Sequence, residues 1–223
     1  MNADMKNKIC ACSKLSKFFM KTPETTNEQG YLIVGLGNPG PEHRGNRHNA
    51  GFMLVSRLAE RLESTFGRLE SKALVAKVHY QPQGREPLRL ILAKPQTYMN
   101  LSGQAVASLV RFYKLPLEHL LVVHDDVDLP FGTLRLRPGG GSGGQKGVES
   151  IIQFLGTQEF PRLRIGIGRP PGRMEAADYV LQDFPESEAS FLPAILNQGA
   201  DAALEFVVNG LENAMNCYNG ILT

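Results

Sequence analysis

Short uninterrupted apolar runs recur along this chain and predict buried strands. The run Tyr31–Val34, which ends at Gly35, is typical of a strand that is covered on both faces. Two further runs flank the turn-rich residues 81–84 and predict a hairpin. Thr133–Arg137 alternates and predicts an exposed strand. The strands predicted in this way are Tyr31–Val34, Ala73–Tyr80, Leu88–Ala93, Leu120–Val123, Thr133–Arg137 and Leu163–Gly168.

Between these runs, apolar positions recur at helical spacing. From about Asn49 onward they fall on one face of a helix, and a second helix is predicted over Ser102–Tyr113. A third follows the glycine-rich loop Gly139–Gly144, and a long last helix from about Ser187 breaks near Gly210. Strands that alternate with helices, plus one hairpin, predict the α/β class: a single domain with a mixed central β-sheet flanked by helices.

The first 29 residues show neither the helical nor the strand pattern of apolar positions. We therefore predict a disordered N-terminal extension over residues 1–29 and a single α/β domain over residues 30–223. Five lysines and an apolar patch in the extension raise an alternative, an organelle-targeting peptide. The absence of arginine from this stretch, and its acids Asp4, Glu24 and Glu28, argue against that alternative.

The composition is that of an ordinary globular protein, with 42% hydrophobic and 21% charged residues. No apolar run approaches the roughly 18 residues that a transmembrane helix needs, which excludes an integral membrane protein of the helical kind. Cys10, Cys12 and Cys217 do not form a disulfide framework and indicate a reducing compartment. These features predict a cytoplasmic protein.

Charge is distributed unevenly along the chain. Residues 129–173 carry seven basic side chains against two acidic ones, whereas residues 174–223 carry eight carboxylates and no Lys or Arg. A basic middle beside an acidic end predicts a field that holds a polyanion over one face of the protein. The alternative is that these charges simply form solvated surfaces.

The segment Gly35–Gly40 has the literal pattern G-x-G-x-x-G after a predicted strand. In a dinucleotide-binding site the third glycine opens a helix whose N-terminus faces the pyrophosphate. Here no apolar helical face begins until after His48, and Glu60, the nearest candidate for the ribose-binding acid, lies inside the predicted helix. The sequence therefore argues against a dinucleotide site.

Polar side chains with catalytic potential follow three of the predicted strands. Asn38 and His48 lie after the first strand, and Asn100 lies after the hairpin. His124–Asp128 directly follows another buried run. Active sites of α/β sheets usually lie there. An imidazole that takes a proton from water, a carboxylate that orients it and amides that bind the developing oxyanion are suited to ester hydrolysis.

The same residues also allow structural interpretations. Asn38 before Pro39 is typical of a turn, and a single histidine at a loop–helix junction is more often structural than catalytic. Asp125, Asp126 and Asp128 offer a metal site as an alternative, but no other His or acid is spaced to complete a ligand set.

Five segments, in this order, resemble the bacterial-type peptidyl-tRNA hydrolase family. They extend from about residue 31 to residue 185 and are Ile33–Gly40, Arg47–Gly51, Met99–Gly103, His124–Pro130 and Arg162–Gly168. The resemblance implies an α/β domain with a mixed central sheet that is usually monomeric, needs no cofactor and acts on peptidyl-tRNA.

By position, the resemblance also implies roles for individual residues. His48 corresponds to the family's catalytic base and Asp125 to the acid that orients it. Asn38 and Asn100 correspond to the amides that hold the peptide end of the substrate, with Met99 beside them. The basic residues that the family uses for tRNA phosphates correspond to Arg135, Arg137 and Arg164.

Two positions depart from the family pattern. The family commonly has His-Asn-Gly where this chain has Gln145-Lys146-Gly147. It often has Tyr where this chain has His43, on the wall of the expected substrate cleft. Lys146 and His43 are therefore also predicted substrate contacts.

The predicted function is metal-independent hydrolysis of the ester bond between the peptide and the 3′-terminal ribose of peptidyl-tRNA. The resemblance implies a monomer with no cofactor, and we predict no bound metal and no membrane association. The alternative is a relative that keeps the fold and binds RNA with little turnover, and Lys146 and His43 motivate it. Retention of the set Asn38, His48, Asn100 and Asp125 argues against that alternative.

Overall fold

The computed structural model describes residues 30–221 of the 223-residue chain. The predicted extension, residues 1–29, lies outside the described residues. Residues 30–221 contain eight strands: β1 Gly30–Gly35, β2 Arg68–Glu70, β3 Ala73–Tyr80, β4 Leu88–Pro95, β5 Leu120–Asp126, β6 Thr133–Arg137, β7 Arg162–Gly166 and β8 Gly220–Ile221. The α-helices are α1 Ala50–Arg61, α2 Ser102–Tyr113, α3 Lys146–Leu155, α4 Ala176–Val180, α5 Glu186–Ala189 and α6 Leu192–Tyr218. Short 3₁₀ helices cover Pro41–His43, Arg47–Asn49, Met99–Leu101 and Leu117–His119.

All eight strands form one mixed sheet in the order β2-β3-β4-β1-β5-β7-β6-β8. The four central strands β4, β1, β5 and β7 are parallel to one another, and the strands at both ends pair antiparallel. The predicted hairpin is present, with Ala73 opposite Pro95 and Tyr80 opposite Leu88. The predicted α/β class with a mixed central sheet is confirmed.

The two faces of the sheet bury separate hydrophobic cores. In β5, Leu121 and Val123 pack with side chains of α1 and α6, whereas Leu120 and Val122 pack with side chains of α2 and α3. All four are fully buried. Burial of one such side chain stabilises the fold by about 1.5–3 kcal/mol relative to exposure. This double coverage explains why β5 reads as a continuous apolar run.

Three predicted elements differ from the structure. β5 continues through Asp126 because its backbone pairing with β7 extends from Val122 to Asp126. The predicted exposed strand β6 lies between β7 and β8, and its Leu134 and Leu136 are fully buried. The last predicted helix is divided into α5 and α6, and its predicted break is present at Gly210, where φ is +84°.

The glycines of the Gly35–Gly40 segment serve close packing. A Cβ on Gly35 would lie 2.2 Å from the carbonyl oxygen of Gly51 in α1, and one on Gly37 would lie 2.7 Å from the Phe52 ring. Gly40, with φ +118°, is followed by a 3₁₀ helix rather than by an α-helix. The segment lets α1 lie directly against the end of β1 and lacks the helix N-terminus that a pyrophosphate needs.

Candidate active site

The predicted catalytic residues lie at the carboxyl ends of three adjacent parallel strands, β4, β1 and β5. Asn38 follows β1, Asn100 follows β4, and Asp125 is the second-last residue of β5. Together with His48 they line one cavity of about 740 Å³. Of the remaining predicted substrate contacts, Met99 and Lys146 also line it.

His48 and Asp125 form a hydrogen-bonded pair. The 3₁₀ helix Arg47–Asn49 places His48 Nδ1 2.8 Å from Asp125 Oδ2. Since a carboxylate oxygen accepts, Nδ1 carries the proton and Nε2 keeps a lone pair. Nε2 makes no hydrogen bond to residues 30–221. The imidazole is thus held in the tautomer that can take a proton from a water molecule in the cavity.

Asp125 is nearly inaccessible to solvent, with 3% of its surface exposed. Burial alone would raise its pKa, but the charge and hydrogen bond of His48 outweigh burial. A hydrogen bond from Gln145 and the charge of His124 act in the same direction. The pKa of Asp125 therefore lies below its ordinary value, and the carboxylate is ionised at neutral pH.

Asn49 fixes the backbone of Asn38, and Met99 fixes its side chain. The Asn38 backbone N–H donates to Asn49 Oδ1 at 2.8 Å, and Asn49 Nδ2 donates back to the Asn38 backbone carbonyl at 2.9 Å. Asn38 Oδ1 accepts from the Met99 amide at 2.8 Å. Within the described residues Asn38 Nδ2 makes no hydrogen bond, so it remains available as a donor. Asn49 was not predicted from the sequence as a site residue, although it adjoins His48 in one of the matching segments.

Residues 32–222 match the family model described as peptidyl-tRNA hydrolase. The chain belongs to the peptidyl-tRNA hydrolase family.

Individual members are similar over almost their whole length. The peptidyl-tRNA hydrolase of Frankia alni is 48% identical over 197 residues, covering 88% of this chain and 98% of the relative. That of Chloroflexus aggregans is 53% identical over 190 residues, covering 85% and 98%. The crystal structure of peptidyl-tRNA hydrolase from Acinetobacter baumannii has a TM-score of 0.75 at 35% identity and covers 86% of this chain and 97% of its own. The predicted resemblance is confirmed.

In this member of the family, one wall of the cavity is apolar. It includes four residues of α4 and its C-terminal end, which sequence analysis did not identify: Ala176, Ala177, Val180 and Leu181. Tyr98 and Val127 add apolar surface from the loops after β4 and β5. The acidic C-terminal part of the chain therefore begins at the cavity wall.

Arg47 attaches this wall to the segment that carries His48. Its buried guanidinium lies 4.3 Å from the ring centroid of Tyr179 in α4 and 5.0 Å from that of Phe184. It also forms an ion pair with Glu188. Because Arg47 immediately precedes His48, the residue that holds the wall also fixes the backbone of the proposed base.

The chain departs from the family pattern at Lys146 and His43, and these two residues differ in their position relative to the cavity. Lys146 lies at the cavity, but its Nζ pairs with Glu149 at 3.0 Å and its side chain is largely exposed. His43 is not among the residues that line the cavity, and its Nε2 lies 3.6 Å from Glu42 Oε1 in the same 3₁₀ helix. Its contact with the substrate stays a prediction.

The three predicted phosphate contacts share one face of the sheet. Arg135 of β6 lies opposite Arg164 of β7, and Arg137 is two residues farther along β6. Arg137 and Arg164 line a second cavity of about 230 Å³ beside the glycine-rich loop. Arg164 Nε pairs with Asp126 of β5, and its two terminal amino groups form no hydrogen bond within the described residues.

The carboxylates of the alternative metal site have separate partners. Asp125 binds His48, Asp126 binds Arg164, and the third acid, Asp128, lies 2.6 Å from Arg169. Across residues 30–221 no group of three or more His, Cys, Asp or Glu side chains is placed to hold a metal ion. The part of the chain that the structure describes also contains no helix long and apolar enough to span a bilayer.

Proposed function

We propose that this chain hydrolyses the ester bond between the peptide and the 3′-terminal ribose of peptidyl-tRNA, releasing the peptide and a reusable tRNA. The observation that carries the proposal is the His48–Asp125 pair in a cavity that also holds Asn38 and Asn100, in a member of this family.

In the proposed reaction His48 Nε2 removes a proton from water as the water oxygen attacks the ester carbonyl. Asp125 stabilises the imidazolium that forms. The tetrahedral intermediate collapses by breaking the bond to the ribose oxygen, which receives the proton from His48. Asn38 Nδ2 and the Asn100 amide are donors for the oxyanion and the peptide backbone.

The cavity wall supports a preference for peptidyl over aminoacyl substrates. A peptide amide and its side chain can lie against Met99, Val180 and Leu181 without loss of a charged group's hydration. A free α-ammonium in the same place would be desolvated without a partner, which is costly. Lys146, at the rim, is a further proposed contact to the substrate.

Arg135, Arg137 and Arg164 are proposed to contact tRNA phosphates, because they cluster on one face of the sheet edge close to the reaction cavity. Arginine suits this role because its planar guanidinium binds phosphate through two parallel hydrogen bonds. We also propose that the protein acts as a monomer in the cytoplasm.

The deciding experiment is turnover of a purified peptidyl-tRNA by the full chain, with the same tRNA carrying an unblocked amino acid as the matched substrate. The proposal expects release of peptide from the first substrate and little from the second. Tight tRNA binding without turnover of either substrate would instead support the RNA-binding alternative.

A further inference from the structure

Gln145 occupies the N-cap position of α3 and is buried, with 9% of its surface exposed. The two ends of its side-chain amide make hydrogen bonds to different parts of the structure. Oε1 accepts a hydrogen bond from the Val148 amide at 2.8 Å, and Nε2 donates to Asp125 Oδ1 at 3.1 Å. Nε2 also lies 3.4 Å from Met99 Sδ. One side chain therefore joins a helix terminus to the carboxylate that orients His48.

The helix cap determines which end of this amide faces Asp125. If the amide were rotated by half a turn, its NH₂ group would face the Val148 N–H and its oxygen would face the Asp125 carboxylate. That arrangement would lose the cap and place two acceptors against each other in a buried site. The cap thus ensures that Gln145 presents a donor to Asp125.

The backbone at Gly147 lies close to the Gln145 side chain. A Cβ on Gly147 would lie 2.5 Å from Met99 Sδ and 3.0 Å from Gln145 Oε1. Only glycine leaves the first turn of α3 this close to Met99 and to the Gln145 amide. The first turn of α3 is therefore in close contact with Met99 and with the Gln145 side chain at Gly147.

Resting on the function proposed above, we propose that Gln145 is a positioning residue, which fixes Asp125 by binding Oδ1 so that Oδ2 faces His48. Each carboxylate oxygen then has its own donor, one from Gln145 and one from His48. Removal of the Gln145 donor leaves a buried carboxylate oxygen unsatisfied and frees the carboxylate to turn about its Cβ–Cγ bond. The imidazole then loses part of its fixed orientation.

Two substitutions separate this role from helix capping. Gln145→Ser retains a good N-cap residue but is too short to reach Asp125. Gln145→Glu retains a capping oxygen, suits the positive end of the helix dipole, and replaces the donor with a carboxylate. Gln153→Ser, at an exposed position of the same helix, is the matched control.

The readouts are melting temperature, kcat and KM on purified peptidyl-tRNA, and the pH profile of kcat/KM. Both Gln145 variants are expected to stay folded but to melt below the control, Gln145→Glu more so because it places a second carboxylate beside buried Asp125. In both, kcat should fall about 10- to 100-fold with KM little changed. Gln145→Glu should also move the acid limb of the profile to higher pH, because the added negative charge favours the imidazolium form. Wild-type kcat in Gln145→Ser, or an unmoved acid limb in Gln145→Glu, would overturn the proposal.

A readout that does not depend on turnover keeps this test separate from the proposed function. The NMR resonance of the His48 Nδ1 proton reports the bond to Asp125 directly. It should shift or exchange faster with water in Gln145→Ser and remain unchanged in Gln153→Ser. If the wild type lacks turnover but this resonance responds, the proposed function fails and the positioning role stands. If the resonance is unchanged in Gln145→Ser, the positioning role fails.

Discussion

His48 Nδ1 lies 2.8 Å from Asp125 Oδ2, although the two residues are 77 positions apart in the chain. The pair forms only where the loop after β1 folds over the end of β5. An imidazole held in this way has one free nitrogen, and its protonated form has a carboxylate beside it. The relationship makes His48 the first residue to test.

His48→Ala should lower kcat by about two to three orders of magnitude, the usual scale for loss of a general base. The affinity for tRNA should hardly change, because the proposed phosphate contacts lie elsewhere. Single-turnover rates and a tRNA binding isotherm measure the two effects separately. His79→Ala, at an exposed position of β3, is the control. Retention of more than about a tenth of wild-type kcat in His48→Ala would contradict the assignment of His48 as the general base.

Asp125→Asn should leave the protein folded and lower kcat by about three to four orders of magnitude, because an amide cannot stabilise the imidazolium as a carboxylate does. Turnover of the wild type should be unchanged by EDTA, since the reaction is proposed to use no metal. A rate that disappears in chelator and returns with added divalent cation would instead favour the metal alternative at Asp125 and its neighbours.

The lowered pKa of Asp125 has a consequence for stability. A carboxyl group whose pKa is lower in the folded state stabilises that state above its unfolded pKa, about 3.9, and this contribution is lost as pH falls through the folded pKa. The difference in unfolding free energy between wild type and Asp125→Asn should therefore be constant above about pH 5 and fall in more acidic solution. Urea unfolding over this pH range measures it. A difference that grows on acidification would contradict the direction of the shift.

Arg47→Met should destabilise the protein and impair substrate binding. It removes a buried cation from Tyr179 and Phe184 and leaves Glu188 without its partner. Breaking a fully buried pair costs about 3–5 kcal/mol, and this pair should cost less because Glu188 is partly exposed. KM should rise, because Arg47 holds the apolar cavity wall. The control is Arg169→Met, whose pair with Asp128 is exposed and should contribute little to stability. Equal effects of the two substitutions would argue against the anchoring role of Arg47.

Much of the site was predictable because it depends on strand order alone. Parallel strands that end at the same sheet edge bring Asn38, Asn100 and Asp125 together whatever the intervening loops do. The strand end at β5 was not predictable from hydrophobicity, because backbone pairing with β7 continues through the polar residues His124–Asp126. Polar side chains end the apolar run of β5, but its backbone hydrogen bonds to β7 continue past them.

The elements and contacts that were not predicted have no local signal in the amino-acid sequence. β2 has three residues, none of them buried, and β8 has two, so neither shows a period. Asn49 and Gln145 look like ordinary polar residues at helix starts, and only the folded chain reveals that one holds Asn38 and the other Asp125. The position of His43 also has no local signal, since it lies in the 3₁₀ helix after Gly40.

The arginines of β6 are expected to govern the salt dependence of tRNA binding. Arg135 and Arg137 point to the same face as Arg164, and Arg137 is exposed. Each phosphate contact releases condensed counterions, so affinity falls more steeply with salt as contacts increase. Replacing both Arg135 and Arg137 with Ala should reduce the slope of log K against log salt by roughly one to two units.

The same double substitution should raise KM far more than it lowers kcat, because phosphate contacts bind the ground state and the transition state alike. A short substrate, a peptide esterified to a few nucleotides, should be nearly indifferent to it. The matched control replaces Arg57 and Arg61 of α1 with Ala, which removes the same charge from the helix on the opposite face of the sheet. If the two double substitutions reduce the slope of log K against log salt equally, the effect is one of net charge, and the proposed phosphate contacts on β6 are wrong. If neither pair changes it, the tRNA binds on another surface of the protein.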